Sequence, residues 1–210
     1  MIVNTHKFRE KIAAGKKQLF TGITLADPAV TEMLSGSTDG FWIDLEHNPT
    51  NLETMLGLLI GARAGGTPAF VRVPANDVGW IKRVLDSGAE GIICPQADDA
   101  DGVRRFVSAC RYPPMGKRGF GPRRPTNYGR NGGPDYLADA NKNLIVIAQI
   151  ETVGCLEQLD EIVQIEGLDG LVVGPNDLSG SMGIMGQVDH PDVIEAIGRI
   201  ATVGKAAGLS

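Results

Sequence analysis

The sequence predicts an α/β fold: a TIM (β/α)8 barrel, read as a single domain over 1–210, that stops after about six βα units. Three observations predict it. Short apolar strands alternate with amphipathic helical stretches along the whole chain. Runs such as "LIVIAQI" are apolar almost throughout, as in parallel strands buried on both faces. Polar residues fall at the C-terminal ends of four strands, which in a parallel barrel converge on one mouth. A doubly wound dinucleotide fold is less favoured, because neither "GSTDG" nor "GGTPAF" supplies GxGxxG between a strand and a helix.

The elements follow in order. "LFTGITL" (19–25) and "GFWIDL" (40–45) are strands, with Phe41 to Ile43 expected within the packed layers. Thr50, with Glu53 three residues on, forms a capping box that opens the helix "TNLETMLGLLIGAR". "PAFVRV" ends just before Pro74, and Asp77 then caps "DVGWIKRVLDSGA". "GIICP" (91–95) precedes the periodic stretch "DADGVRRFVSACR". Residues 112–143 are rich in Pro, Gly and Arg and read as a long loop with one short helix, "PDYLADANK". Loops of this length inside a domain are usually functional. "LIVIAQI" (144–150), the helix "GCLEQLDEIVQI" and the strand "LDGLVVG" (168–174) follow. The last helix, "HPDVIEAIGRIATVGKAAG", begins beside a proline and ends at glycine. Six parallel strands do not close the usual barrel, so the first and sixth are expected as edges.

Composition narrows the function. The 210 residues carry 20 Lys and Arg against 25 Asp and Glu, which argues against a nucleic-acid partner. The N-terminal stretch has no apolar signal region, and no run reaches membrane-spanning length. Cys94, Cys110 and Cys155 form no CxxC pair, so reduced thiols in a cytoplasmic protein are expected.

The chemistry gathers at the strand ends. Asp44, Glu46 and His47 close the second strand, Arg72 the third, Gln149 and Glu151 the fifth, and Asn176 and Asp177 follow the sixth. Each has a dull reading, as a helix cap or a surface ion pair. Their recurrence on four strands favours a site. Glu151 and Asp177 are hard oxygen donors suited to Mg²⁺, Mn²⁺ or a similar ion. Two protein ligands leave room for a chelating 2-oxo acid, with Arg72 placed to stabilise an enolate. His47 suits a general base. No lysine lies in an assigned strand, which disfavours Schiff-base chemistry.

"WIDLEHNPTN", "VRVPANDVGWIKRVLDSGAEGIICPQADDADGVRRFVSACRYPPMGKRGFG", "AQIET" and "LDGLVVGPNDLSGSMG" follow in this order between residues 42 and 183. They resemble the metal-dependent (class II) pyruvate aldolases of the HpcH/HpaI aldolase/citrate lyase family. That resemblance implies reversible cleavage of a 4-hydroxy-2-oxo acid to pyruvate and an aldehyde, with Mg²⁺, Mn²⁺ or Co²⁺. It implies His47 as base, Asp86 as the residue raising its basicity, and Arg72 as transition-state stabiliser. Glu151 and Asp177 are implied as metal ligands, and Gln149 as a substrate contact. The backbone N–H groups of Asn176 and Asp177 would hold the pyruvate carboxylate. Many members carry alanine where this chain has Asn176. Asp44 would orient His47, and Glu46 would hold a metal-bound water. The family is typically oligomeric, often hexameric.

The loop "GKRGFGPRRP", with Lys117, Arg118, Arg123 and Arg124, would meet an acidic aldehyde or a neighbouring subunit, or else be a solvated basic loop. His6, His190 and Cys94 receive no role. Two alternatives stay open: a CoA-thioester lyase of the citrate or malyl type, and a non-catalytic binding or assembly protein on the same scaffold.

Overall fold

Six parallel strands lie side by side in chain order in the computed structural model, which describes residues 4–209. They are β1 (Phe20–Ile23), β2 (Gly40–Asp44), β3 (Ala69–Arg72), β4 (Gly91–Cys94), β5 (Ile145–Ile150) and β6 (Gly170–Val173). Residues 1–3 and 210 of the single-domain span lie outside the described residues. The sheet curls into a partial barrel, with β1 and β6 as its edges.

Ten helices form among the described residues: α1 (Thr5–Ala13), α2 (Pro28–Leu34), α3 (Leu52–Gly65), α4 (Val78–Asp86), α5 (Ala100–Cys110), α6 (Pro134–Asn143), α7 (Val153–Glu157), α8 (Leu159–Ile162), α9 (Pro175–Ser181) and α10 (Pro191–Ala206). Several differ from expectation. The cap of α3 is Asn51, whose side chain accepts from the Thr54 N–H at 2.8 Å, so the Thr50 box is one residue early. The expected 154–165 helix breaks at Gln158, whose side chain leaves to accept the Ala100 N–H. Helices α1, α2 and α9 have no counterpart among the expected elements. Asp77 caps α4 as expected, and His190 caps α10.

Strand alternation separates two apolar layers. Phe41, Ile43, Val71, Ile92, Val146 and Ala148 face outward into the core against the helices. Trp42, Phe70, Ile93, Ile145 and Ile147 form the inner face with Phe8 and Phe20. Trp42 therefore departs from the expectation for 41–43. It is half-buried and points the opposite way to its neighbours, as period two requires. Phe8, Phe20 and Phe70 close the lower end, with ring centroids 4.9 to 5.6 Å apart. Gly91 leaves the space that Phe70 fills, since a Cβ there would meet its ring at 2.2 Å.

Candidate active site

The inner face turns from apolar to polar at the C-terminal strand ends. On β2 the sequence of inward positions is Trp42, Asp44, Glu46; on β3 it is Phe70, Arg72; on β5 it is Ile147, Gln149, Glu151. One period-two pattern thus carries both the inner core and the site.

Arg72 is the hub. Asp44 and Arg72 are register partners on adjacent strands. Their side chains form a fork, Nε to Oδ1 at 2.9 Å and Nη2 to Oδ2 at 2.7 Å. Arg72 Nη1 lies 2.9 Å from Glu46 Oε2 and donates to Gln149 Oε1 at 3.4 Å. Its guanidinium carbon stands 5.5 Å from the centre of the Trp42 ring. Burial works against ionisation of Asp44, but the Arg72 hydrogen bonds and charge outweigh it and hold the carboxyl below its ordinary value. Asp44 also accepts the Glu46 N–H. Its side chain thus holds Arg72 and the backbone N–H groups of Glu46 and His47, with no ion pair to the His47 ring among the described residues. The carboxylate nearest His47 is Glu46, whose Oε2 lies 3.6 Å from Nε2.

Glu151 is 2% exposed. It accepts from Gln149 Nε2 and from the backbone N–H of Gln96. Gln96 also reaches Glu46, at 3.4 Å, and its φ of 48° is left-handed. The sequence reading missed Gln96. Its signal was position: a polar residue just past a strand end, like Glu46 and Glu151. Burial, and then the neighbouring Glu151 and Asp44, push Glu46 above its ordinary value despite Arg72 and His47.

His47, Arg72, Gln149, Asn176 and Asp177 line one cleft of about 480 Å³. The His47 side chain is 61% exposed at its lip. Asn176 and Asp177 are exposed in the first turn of α9, where helix geometry leaves amides without intrahelical acceptors. Asp86 does not join them. It ends α4 and pairs with Arg118 Nη2 at 2.9 Å, and no hydrogen bond or ion pair joins it to His47 among the described residues. Arg118 and Arg124 are likewise not available to an aldehyde through this chain. Arg118 is buried over the Tyr112 ring, and Arg124 donates to the Ser87 and Leu59 carbonyls. Lys117 and Arg123 remain exposed.

The profile of the HpcH/HpaI aldolase/citrate lyase family matches residues 19–210. The chain belongs to that family. It is 37% identical to the hydroxypyruvate/pyruvate aldolase of Roseovarius nubinhibens, over 98% of this chain and 82% of that protein. It is 39% identical to the 4-hydroxy-2-oxo-heptane-1,7-dioate aldolase of Salmonella dublin, over 96% and 79%. An HpcH/HpaI aldolase/citrate lyase family protein from Burkholderia cenocepacia superposes with a TM-score of 0.89 at 32% identity, over 98% and 83%. The fold is accordingly that of an HpcH/HpaI barrel, seen here over six of its strands.

The donor set suits the hard divalent ion expected in an HpcH/HpaI aldolase. Asp44, Glu46 and Glu151 crowd one cation, Arg72, and leave local negative charge. Gly174 keeps space open beside Glu151: a Cβ there would lie 2.6 Å from Oε2. No cluster of three or more His, Cys, Asp or Glu ligands occurs among the described residues, so the protein would supply a minority of the ligands.

Proposed function

We propose that the chain is a divalent-metal-dependent aldolase that cleaves a 4-hydroxy-2-oxo acid to pyruvate and an aldehyde. The observation that carries this reading is the fixed Arg72 beside Gln149, in one cleft with the exposed His47. Glu151 and Asp177 would hold the metal, which when bound supplies Lewis acidity at the oxo acid. His47 takes the proton of the C4 hydroxyl as the C3–C4 bond breaks. The electron pair moves through C3 towards the C2 oxygen, and C4 leaves as the aldehyde. His47 then returns the proton to C3, completing the methyl group of pyruvate.

Arg72 stabilises the charge gathering on the C2 oxygen. Asp44 and Gln149 take three of its five N–H groups, which leaves one on Nη1, beside Glu46 Oε2, and one on Nη2 as donors for substrate. The amides of Asn176 and Asp177 would receive the carboxylate. Among the described residues Asp86 pairs with Arg118, and no contact there assigns it a step.

Pyruvate release from 4-hydroxy-2-oxo acids, coupled to lactate dehydrogenase, tests the reading. Activity should fall to background in EDTA and return with Mn²⁺. Turnover that survives thorough metal removal would refute it.

A further inference from the structure

Trp42 borders two spaces of opposite character. One is the polar cleft of His47, Arg72 and Gln149. The other is an apolar trough of about 500 Å³ along the inner face, lined by Phe20, Phe70, Ile93, Ile147 and Val172. Among the described residues Trp42 alone lines both. Its register partners are Gly22 on β1 and Phe70 on β3, so it stands one inward step below Asp44 and beside Arg72.

We propose that Trp42 is a positioning residue for Arg72, backing the guanidinium and walling the cleft off from the trough. This rests on the aldolase reading above. Asp44, Glu46 and Gln149 all approach Arg72 through polar atoms. Such contacts leave the faces of the planar cation uncovered. A face open to water is screened, and a screened cation stabilises developing negative charge less. The indole covers that side with a π-surface that attracts the cation. An aliphatic side chain would fill less of the boundary and offer no such attraction. The aromatic face is therefore the property that matters.

The test compares the Mn²⁺-loaded full chain with Trp42→Phe and Trp42→Leu. In Trp42→Leu, kcat/KM for the oxo acid should fall about 5- to 30-fold, the range between an exposed and a desolvated cation–π contact. Trp42→Phe should stay within about threefold of the parent, because a ring face is retained. A second readout needs neither substrate nor turnover. The Arg72 Nε–H resonance should be shifted by the indole ring current and exchange slowly with water. Trp42→Leu should lose the shift and speed the exchange, while Trp42→Phe keeps slow exchange. Unchanged shift, exchange and turnover in Trp42→Leu would overturn the proposal. So would a Trp42→Phe protein as impaired as Trp42→Leu. A parent chain that releases no pyruvate while the Nε–H signature behaves as described would sink the aldolase reading and support the positioning role.

Discussion

Arg72→Leu is the most informative single change, because it removes the one cation from a buried group of carboxylates. The Asp44 and Glu46 side chains are only 11% and 7% exposed and would be left without their partner. Breaking a buried pair in this way costs about 3–5 kcal/mol at neutral pH, through the stranded charge more than the lost attraction. The pH dependence follows. In the parent, Asp44 ionises below 3.8, so its contribution is present above that value and lost as pH falls through the lowered one. In Arg72→Leu burial, the largest influence, is opposed only by the backbone N–H groups of Glu46 and His47, and the carboxyl moves upward. The variant is then penalised at pH 7 and relieved as the pH falls and the carboxyl takes up a proton. Urea unfolding at pH 7 and pH 4 should show a gap between parent and variant that is wide at pH 7 and much narrower at pH 4. A gap under about 1 kcal/mol at pH 7, or one of equal size at both pH values, would refute the reasoning.

Three further outcomes are expected. His47→Ala should lower kcat by about 10²–10⁴ with little change in thermal midpoint, since the side chain is 61% exposed; near-parent turnover would remove His47 as the base. Gly174→Ala has a backbone φ of −98°, which alanine accepts, so its effect is steric on Glu151. Mn²⁺ affinity by calorimetry should weaken about 10-fold, and unchanged affinity would place the metal elsewhere. Burial pushes the Cys110 thiol from 9.0 up to about 12. The unfolded chain loses that proton above pH 9 while the folded chain keeps it, so stability falls there by about 1.4 kcal/mol per pH unit. Cys110→Ala should flatten this alkaline slope in guanidinium titrations at pH 9 and 10, and an identical slope would count against the buried, protonated thiol.

Much of the site could be read locally. His47, Arg72, Gln149 and Asp177 were expected at one barrel mouth, and they line one cleft. That worked because a parallel barrel delivers every strand end to the same side. The failures were failures of partnership. The basic loop looked solvated or ready for an aldehyde, yet Arg118 and Arg124 turn inward to Asp86 and to backbone carbonyls of Ser87 and Leu59. Gln96 was marked only by its place just past a strand end, because its bond to Glu151, 55 residues away, is made by a backbone N–H.

By itself, the sequence determined the alternation of strands and helices and which residues of a strand share a face. Period two places Trp42 with Asp44, Phe70 with Arg72, and Gln149 with Glu151, whatever lies on the neighbouring strand. The tertiary structure alone decided which of these residues meet. Asp44 binds Arg72 across 28 positions because β2 and β3 pair in that register. A register shifted along β3 would keep the same periodicity and give Asp44 a different neighbour. Local patterning is blind to that choice, and side-chain packing across the sheet makes it.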